Sequence, residues 1–168
     1  AWKNHPAHLE AIRDPAGYSS PPRYQRAVRD LERVLGKIGE PSRVRLGLAN
    51  FQHRDLSPTR SADLIRAAEE PEKDFFHPFY RERLAAQAER ATPEIIGVSL
   101  NFLTQALPAF ALIGFLKKRF AKAKILLGGG LVTSWVRGAR QRNPFAGLVD
   151  EMVAGPGEAA LLAAAGVR

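Results

Sequence analysis

The sequence predicts an α/β fold with an open, mainly parallel sheet flanked by helices. Short apolar runs stand at 94–100 (Glu-Ile-Ile-Gly-Val-Ser-Leu) and 124–127 (Lys-Ile-Leu-Leu), the composition of strands covered on both faces. Segments with apolar residues at helical spacing separate such runs, and strand–helix alternation of this kind builds a parallel sheet. The runs end in small or polar residues: Ser99-Leu100-Asn101, Gly128-Gly129-Gly130 and, after a further run at 148–154, Gly155-Pro156-Gly157-Glu158.

Along the chain, residues 1–20 are polar, contain Pro6, Pro15 and Gly17, and are expected to be irregular. A helix is predicted from Pro22 to Ile38. Ser20 is placed to cap it, Pro21-Pro22 suit its start, and Val28, Leu31, Val34, Leu35 and Ile38 share one face. Gly39 stops it. Residues 43–50 alternate apolar and polar, which predicts a strand with one covered face. A short helix is expected at 61–70 and an amphipathic one at 75–90, with Phe75, Phe76, Phe79 and Tyr80 in the core. A helix over 107–120, a segment around 135–142 and an Ala- and Leu-rich helix after Glu158 complete the reading. The parallel strands are expected at 43–50, 94–100, 124–128 and 149–153, and the chain is expected to divide into a helical lead-in, 1–42, and an α/β domain, 43–168.

Composition narrows the function classes. The 168 residues suffice for one domain with a sizeable core. No apolar run is long enough to span a membrane, because Lys117-Lys118-Arg119 interrupt the longest, and the N-terminus has no signal-peptide pattern. There is no initiator Met, which leads us to expect a processed chain or an excised piece. With no cysteine in the chain, a thiolate zinc site and an iron–sulfur cluster are excluded from it, and a cytoplasmic location is expected. The net charge of +8 comes from scattered Lys and Arg without interleaved aromatics, so a nucleic-acid partner is not expected.

Ligands of open parallel sheets bind beyond the carboxyl ends of the strands. The three strand ends would form a rim of backbone and small side chains, on which a large flat ligand can lie. In each case a structural role competes. The three glycines could be a tight turn, although three cost more backbone entropy than one turn demands. Ser99 and Asn101 could cap the next helix. Gly157-Glu158 could simply start one, where a carboxylate suits the positive end of the helix dipole.

In order and rough spacing, Glu94-Ile95-Ile96-Gly97-Val98-Ser99-Leu100, the helix start Thr104-Gln105-Ala106-Leu107, Ile125-Leu126-Leu127-Gly128-Gly129-Gly130 and the stretch from Val149 to Glu158 resemble the cobalamin-binding domain that precedes the barrel in cobalamin-dependent radical S-adenosylmethionine (radical-SAM) enzymes. The likeness covers 93–158 well and 43–92 loosely. It implies a Rossmann-like or flavodoxin-like fold. It also implies cobalamin bound at Ser99, Leu100, Asn101, Gly128, Gly129, Gly130, Gly155, Gly157 and Glu158. The iron–sulfur cluster and S-adenosylmethionine would belong to a barrel of the same parent chain, so this piece alone would not be catalytic. The parent would act on a small molecule, as a methyltransferase or cyclase.

The signature of other cobalamin proteins, Asp-x-His-x-x-Gly, would put His53 where a lower cobalt ligand stands. Phe51 and Leu56 replace its Asp and Gly, so nothing obvious orients the imidazole. The reading therefore expects no protein histidine on cobalt. Gly129→Val is expected to abolish binding by filling the channel and straining the turn. The alternative function is a non-catalytic α/β interaction or regulatory domain that has lost the cofactor.

Overall fold

A computed structural model describes residues 2–88, 92–138 and 143–166. The chain divides into two compact units, Ala1–Asp55 and Leu56–Arg168. The division expected at 42/43 thus falls inside the first unit.

In the first unit, α1 (His5–Arg13) occupies part of the stretch read as irregular. Pro6 lies in its first turn, where a missing N–H costs nothing, and Ala11 is its one buried residue. With nine residues, the helix is shorter than the window over which a helical period can be read. The helix α2 (Pro21–Gly39) matches the prediction within a residue and buries Ala27, Leu31, Val34 and Gly39. Ser20 stands at its N-cap without a side-chain capping bond. His8 Nε2 lies 3.2 Å from Asp30 Oδ2, linking α1 to α2.

The expected strand 43–50 requires correction. It does not join the parallel sheet. Only Val44–Leu46 (β1) is extended, and it pairs antiparallel with Phe51–His53 (β2) in a separate two-stranded sheet. The reason lies in the pattern itself. Val44 and Leu46 are buried and Arg45 is exposed, which suits a hairpin covered on one face rather than an inner parallel strand. At Gly47 the chain turns back: its N–H donates to Asn50 O (2.8 Å), and Glu32 accepts from Leu48 N–H (2.9 Å). A two-pronged Arg43–Asp55 pair, 2.6 Å at each contact, closes the open end of the hairpin.

The second unit is a mixed α/β unit around a three-stranded parallel sheet. Its elements are α3 (Ser61–Glu69), α4 (His77–Ala88), β3 (Ile95–Ser99), α5 (Ala106–Arg119), β4 (Lys124–Gly128), α6 (Gly130–Gly138), β5 (Glu151–Met152) and α7 (Glu158–Ala164). Residues 89–90 of the expected second helix and 139–142 of the expected segment lie outside the described residues. The strand order is β3-β4-β5, with Gly97 opposite Leu126 and Leu127 opposite Met152. Backbone pairing with β4 extends from Asp150 to Val153, close to the expected 149–153. Only the central strand is covered on both faces: Ile125, Leu126 and Leu127 are all buried. The expectation that 94–100 is equally covered is corrected, because Gly97 and Ser99 are exposed on an outer strand of this sheet.

The helix α5 supplies more of the second unit's core than any other element, through Leu107, Phe110, Ile113 and Leu116 among others. Phe110 stacks on Phe145 at 4.4 Å. The cationic run at its end is used structurally. Lys117 Nζ reaches Asp150 (2.8 Å), and Lys118 Nζ donates to Glu69 O at the end of α3 (2.7 Å). Tyr80 and His77 of α4 pack against Phe115 of α5 with ring centroids 5.3 and 5.7 Å away, His77 edge-on. The rest of this aromatic group is not core. Phe75 and Phe76 are half-buried and Phe79 is 61 % exposed, because α4 presents no consistent apolar face.

Before α4, Asp74 accepts from Phe76 N–H (2.9 Å). Burial pushes its carboxyl from 3.8 up to about 6, and the backbone N–H groups of Phe76 and Phe75 only partly counter this. A carboxyl raised in the folded state favours folding fully below its unfolded value and loses that contribution as pH rises through about 6. Asp74→Asn keeps an oxygen for Phe76 N–H and removes the buried charge. We expect it to stabilise the protein by about 1–2 kcal/mol at pH 7.5 and to be neutral at pH 4. Urea unfolding at both pH values checks this, and an equal effect at both would refute it.

Candidate functional site

The parallel register brings the carboxyl ends of β3, β4 and β5 side by side. Asn101 locks the first two together: its Oδ1 accepts from Gly130 N–H (2.9 Å), and its Nδ2 donates to Ser99 Oγ (3.3 Å). Leu100 N–H donates to Gly128 O (2.8 Å), and Leu131 N–H donates to Leu100 O (3.2 Å). Leu100 is fully buried with both backbone groups engaged, so its side chain belongs to the core. Ser99 and Asn101 are exposed.

The three glycines differ in what they do. Gly129 has φ +106°, and a Cβ there would stand 2.5 Å from Leu100 O. The fold requires glycine at this point. At Gly128 the nearest atoms to an added Cβ are 3.7 Å away on Val153, and at Gly130 the nearest is Asn101 Oδ1 at 3.7 Å. Both positions would accept a Cβ at ordinary contact distance and present bare backbone instead.

Thr133, which sequence reasoning missed, joins the second rim segment to the third. Its Oγ1 donates to Gly129 O (2.9 Å) and accepts from Gly155 N–H (2.9 Å). A threonine four residues after a glycine turn, able to bond back to the turn carbonyl, is the signal that marked it. Gly155 has φ +79°, a left-handed turn that favours glycine, and an added Cβ at Gly155 or Gly157 meets nothing within 4 Å. Gly157 and Glu158 are exposed, with Glu158 in the first turn of α7. Ser99, Asn101, Gly128, Gly129, Gly130 and Gly155 thus share one backbone-rich edge, while Gly157 and Glu158 follow at the start of α7.

Asp150 fastens the edge strand at its other end. It accepts from Ile125 N–H (2.7 Å) and from Lys117. Burial pushes its carboxyl up, but these partners outweigh burial and hold it below the ordinary aspartate range. Beside it lies a cavity of about 700 Å³ lined by Leu64, Trp135, Phe145, Met152 and Glu151 among others. The sequence did not point to this cavity. It contains none of the predicted rim residues.

His53 lies on β2 in the first unit, and its Nδ1 accepts from Asp55 N–H (3.0 Å). A backbone N–H therefore fixes the ring that the missing aspartate would have oriented. Among the described residues no group of three or more His, Cys, Asp or Glu side chains is arranged to hold a metal ion. No helix there is long and apolar enough to cross a membrane. No protein-family model, curated protein or solved structure matches the chain.

Proposed function

We propose that this chain is the cobalamin-binding domain of a radical-SAM enzyme, with the three-stranded sheet as part of a Rossmann-like, flavodoxin-type fold. The observation that carries this reading is the bare rim. Gly128 and Gly130 would accept a Cβ without a clash and carry none, which keeps backbone bare at the strand ends for a large ring and its tail. Ser99 Oγ and the Asn101 amide offer exposed hydrogen-bonding groups beside them. Gly155, held by Thr133, adds a further stretch of bare backbone. Bound cobalamin would supply a carrier for a methyl group. The chain's own part is to hold and orient it, while the cysteines needed for an iron–sulfur cluster must come from a barrel in the same parent protein.

Titration of the purified chain with hydroxocobalamin, followed by visible spectrum, tests the proposal. Saturable binding is expected. His53→Ala should leave affinity and spectrum unchanged, since the cobalt is expected to lack a protein histidine; a clear spectral change on losing His53 would refute that point. If the wild type leaves the spectrum unaltered, the non-catalytic α/β domain becomes the better reading. A cysteine triplet encoded downstream of Arg168 would support the radical-SAM parent.

A further inference from the structure

Of the six large apolar side chains exposed among the described residues of the second unit, two stand at the strand-end rim. Phe102 is 65 % exposed and Leu103 39 %, directly after Asn101. Leu161 and Leu162 are likewise exposed, on α7, which starts where the loop after β5 ends. The position of Phe102 is built into the turn. Its N–H donates to Gln105 Oε1 (3.3 Å), its carbonyl accepts from Gln105 N–H (3.0 Å), and the preceding Asn101 is tied to Gly130. The middle of the rim, by contrast, is glycine. With strands about 4.8 Å apart, the distance from β3 to β5 is roughly 10 Å, the width of a corrin-sized ring. No Lys or Arg occurs among residues 99–103, 128–130 and 155–158, so the rim offers apolar contact and backbone rather than positive charge.

We propose that Phe102 is the apolar contact for the ring of the strand-end ligand, with Leu103 beside it. This rests on the cobalamin reading above. A ring left in water at a fixed position gains by being covered, and covering one phenyl face is enough to change affinity by an order of magnitude.

The test is hydroxocobalamin titration of the full chain for wild type, Phe102→Ala and Phe102→Trp, with thermal unfolding and gel filtration of each. Because Phe102 is exposed, Phe102→Ala should melt with the wild type. It should bind about tenfold or more weakly, while Phe102→Trp stays within about twofold. Wild-type binding with an unchanged Kd for Phe102→Ala would overturn this inference and leave the cobalamin reading standing. Absence of wild-type binding would overturn both. A change of oligomeric state in Phe102→Ala at unchanged Kd would make the flank a protein contact and likewise overturn it.

Discussion

Gly129→Ala is expected to destabilise the protein by about 3 kcal/mol or more, lowering its melting temperature by roughly 6–12 °C. Two costs combine. At φ +106° an L-residue is strained, and its Cβ would press on Leu100 O at 2.5 Å. Leu100 cannot move away freely, because it is fully buried and bonded through both N–H and C=O to the turn that carries Gly129. Gly128→Ala and Gly130→Ala should each melt within about 1 kcal/mol of wild type, since neither Cβ meets an atom closer than 3.7 Å. Thermal unfolding of the three variants decides the matter, and a Gly129→Ala protein as stable as wild type would refute the account. This also changes the meaning of Gly129→Val. Loss of binding in that variant would report a broken turn, so the flat rim is tested at Gly128 and Gly130. Both alanine variants should fold and bind hydroxocobalamin more weakly.

Gly114→Ala is expected to cost about 3 kcal/mol as well, through a different mechanism. Here the backbones of α3 and α5 touch: a Cβ at Gly114 would stand 1.8 Å from Ala68 O. Alanine favours an isolated helix by about 1 kcal/mol over glycine, and this gain offsets only part of the clash. The helices must separate, exposing Ala68, Leu64 and Ala111, all buried, to looser packing. Denaturant unfolding of Gly114→Ala, read against an exposed control such as Gly138→Ala, checks it. A midpoint equal to that of the wild type would refute the close contact.

The candidate site was legible in part. Ser99, Asn101 and the glycine turn were marked because small and polar residues ended apolar runs, and the structure places them on one edge. The separate duties of the three glycines were not legible. Only the partner of each Cβ direction distinguishes Gly129, pressed on Leu100, from Gly128 and Gly130, whose neighbours stand at ordinary contact distance. The spacing of Thr133 from the glycine turn signals only its bond back to Gly129, which any helix threonine can make. Its role depends on Gly155, 22 residues later, arriving beside it. Leu100 was counted with the rim by its position in a motif, whereas burial removes its side chain from any ligand.

The sequence by itself determined the α2 helix, the α5 helix, the three parallel strands of the second unit and the absence of any cysteine chemistry, because hydrophobic period and composition are local properties. The helix α6, which starts inside the glycine turn, reads in the sequence only as a segment. Tertiary structure alone decided the rest. The alternation at 43–50 specified one covered face but not its partner, and pairing with Phe51–His53 placed it in a hairpin of its own. The run at 94–100 was apolar enough for an inner strand, yet its place in the strand order left Gly97 and Ser99 exposed. Phe79 was apolar enough for the core, yet the direction of α4 left it in water. In each case the residues state how much surface they can bury, and only the arrangement of distant segments decides whether anything arrives to cover it.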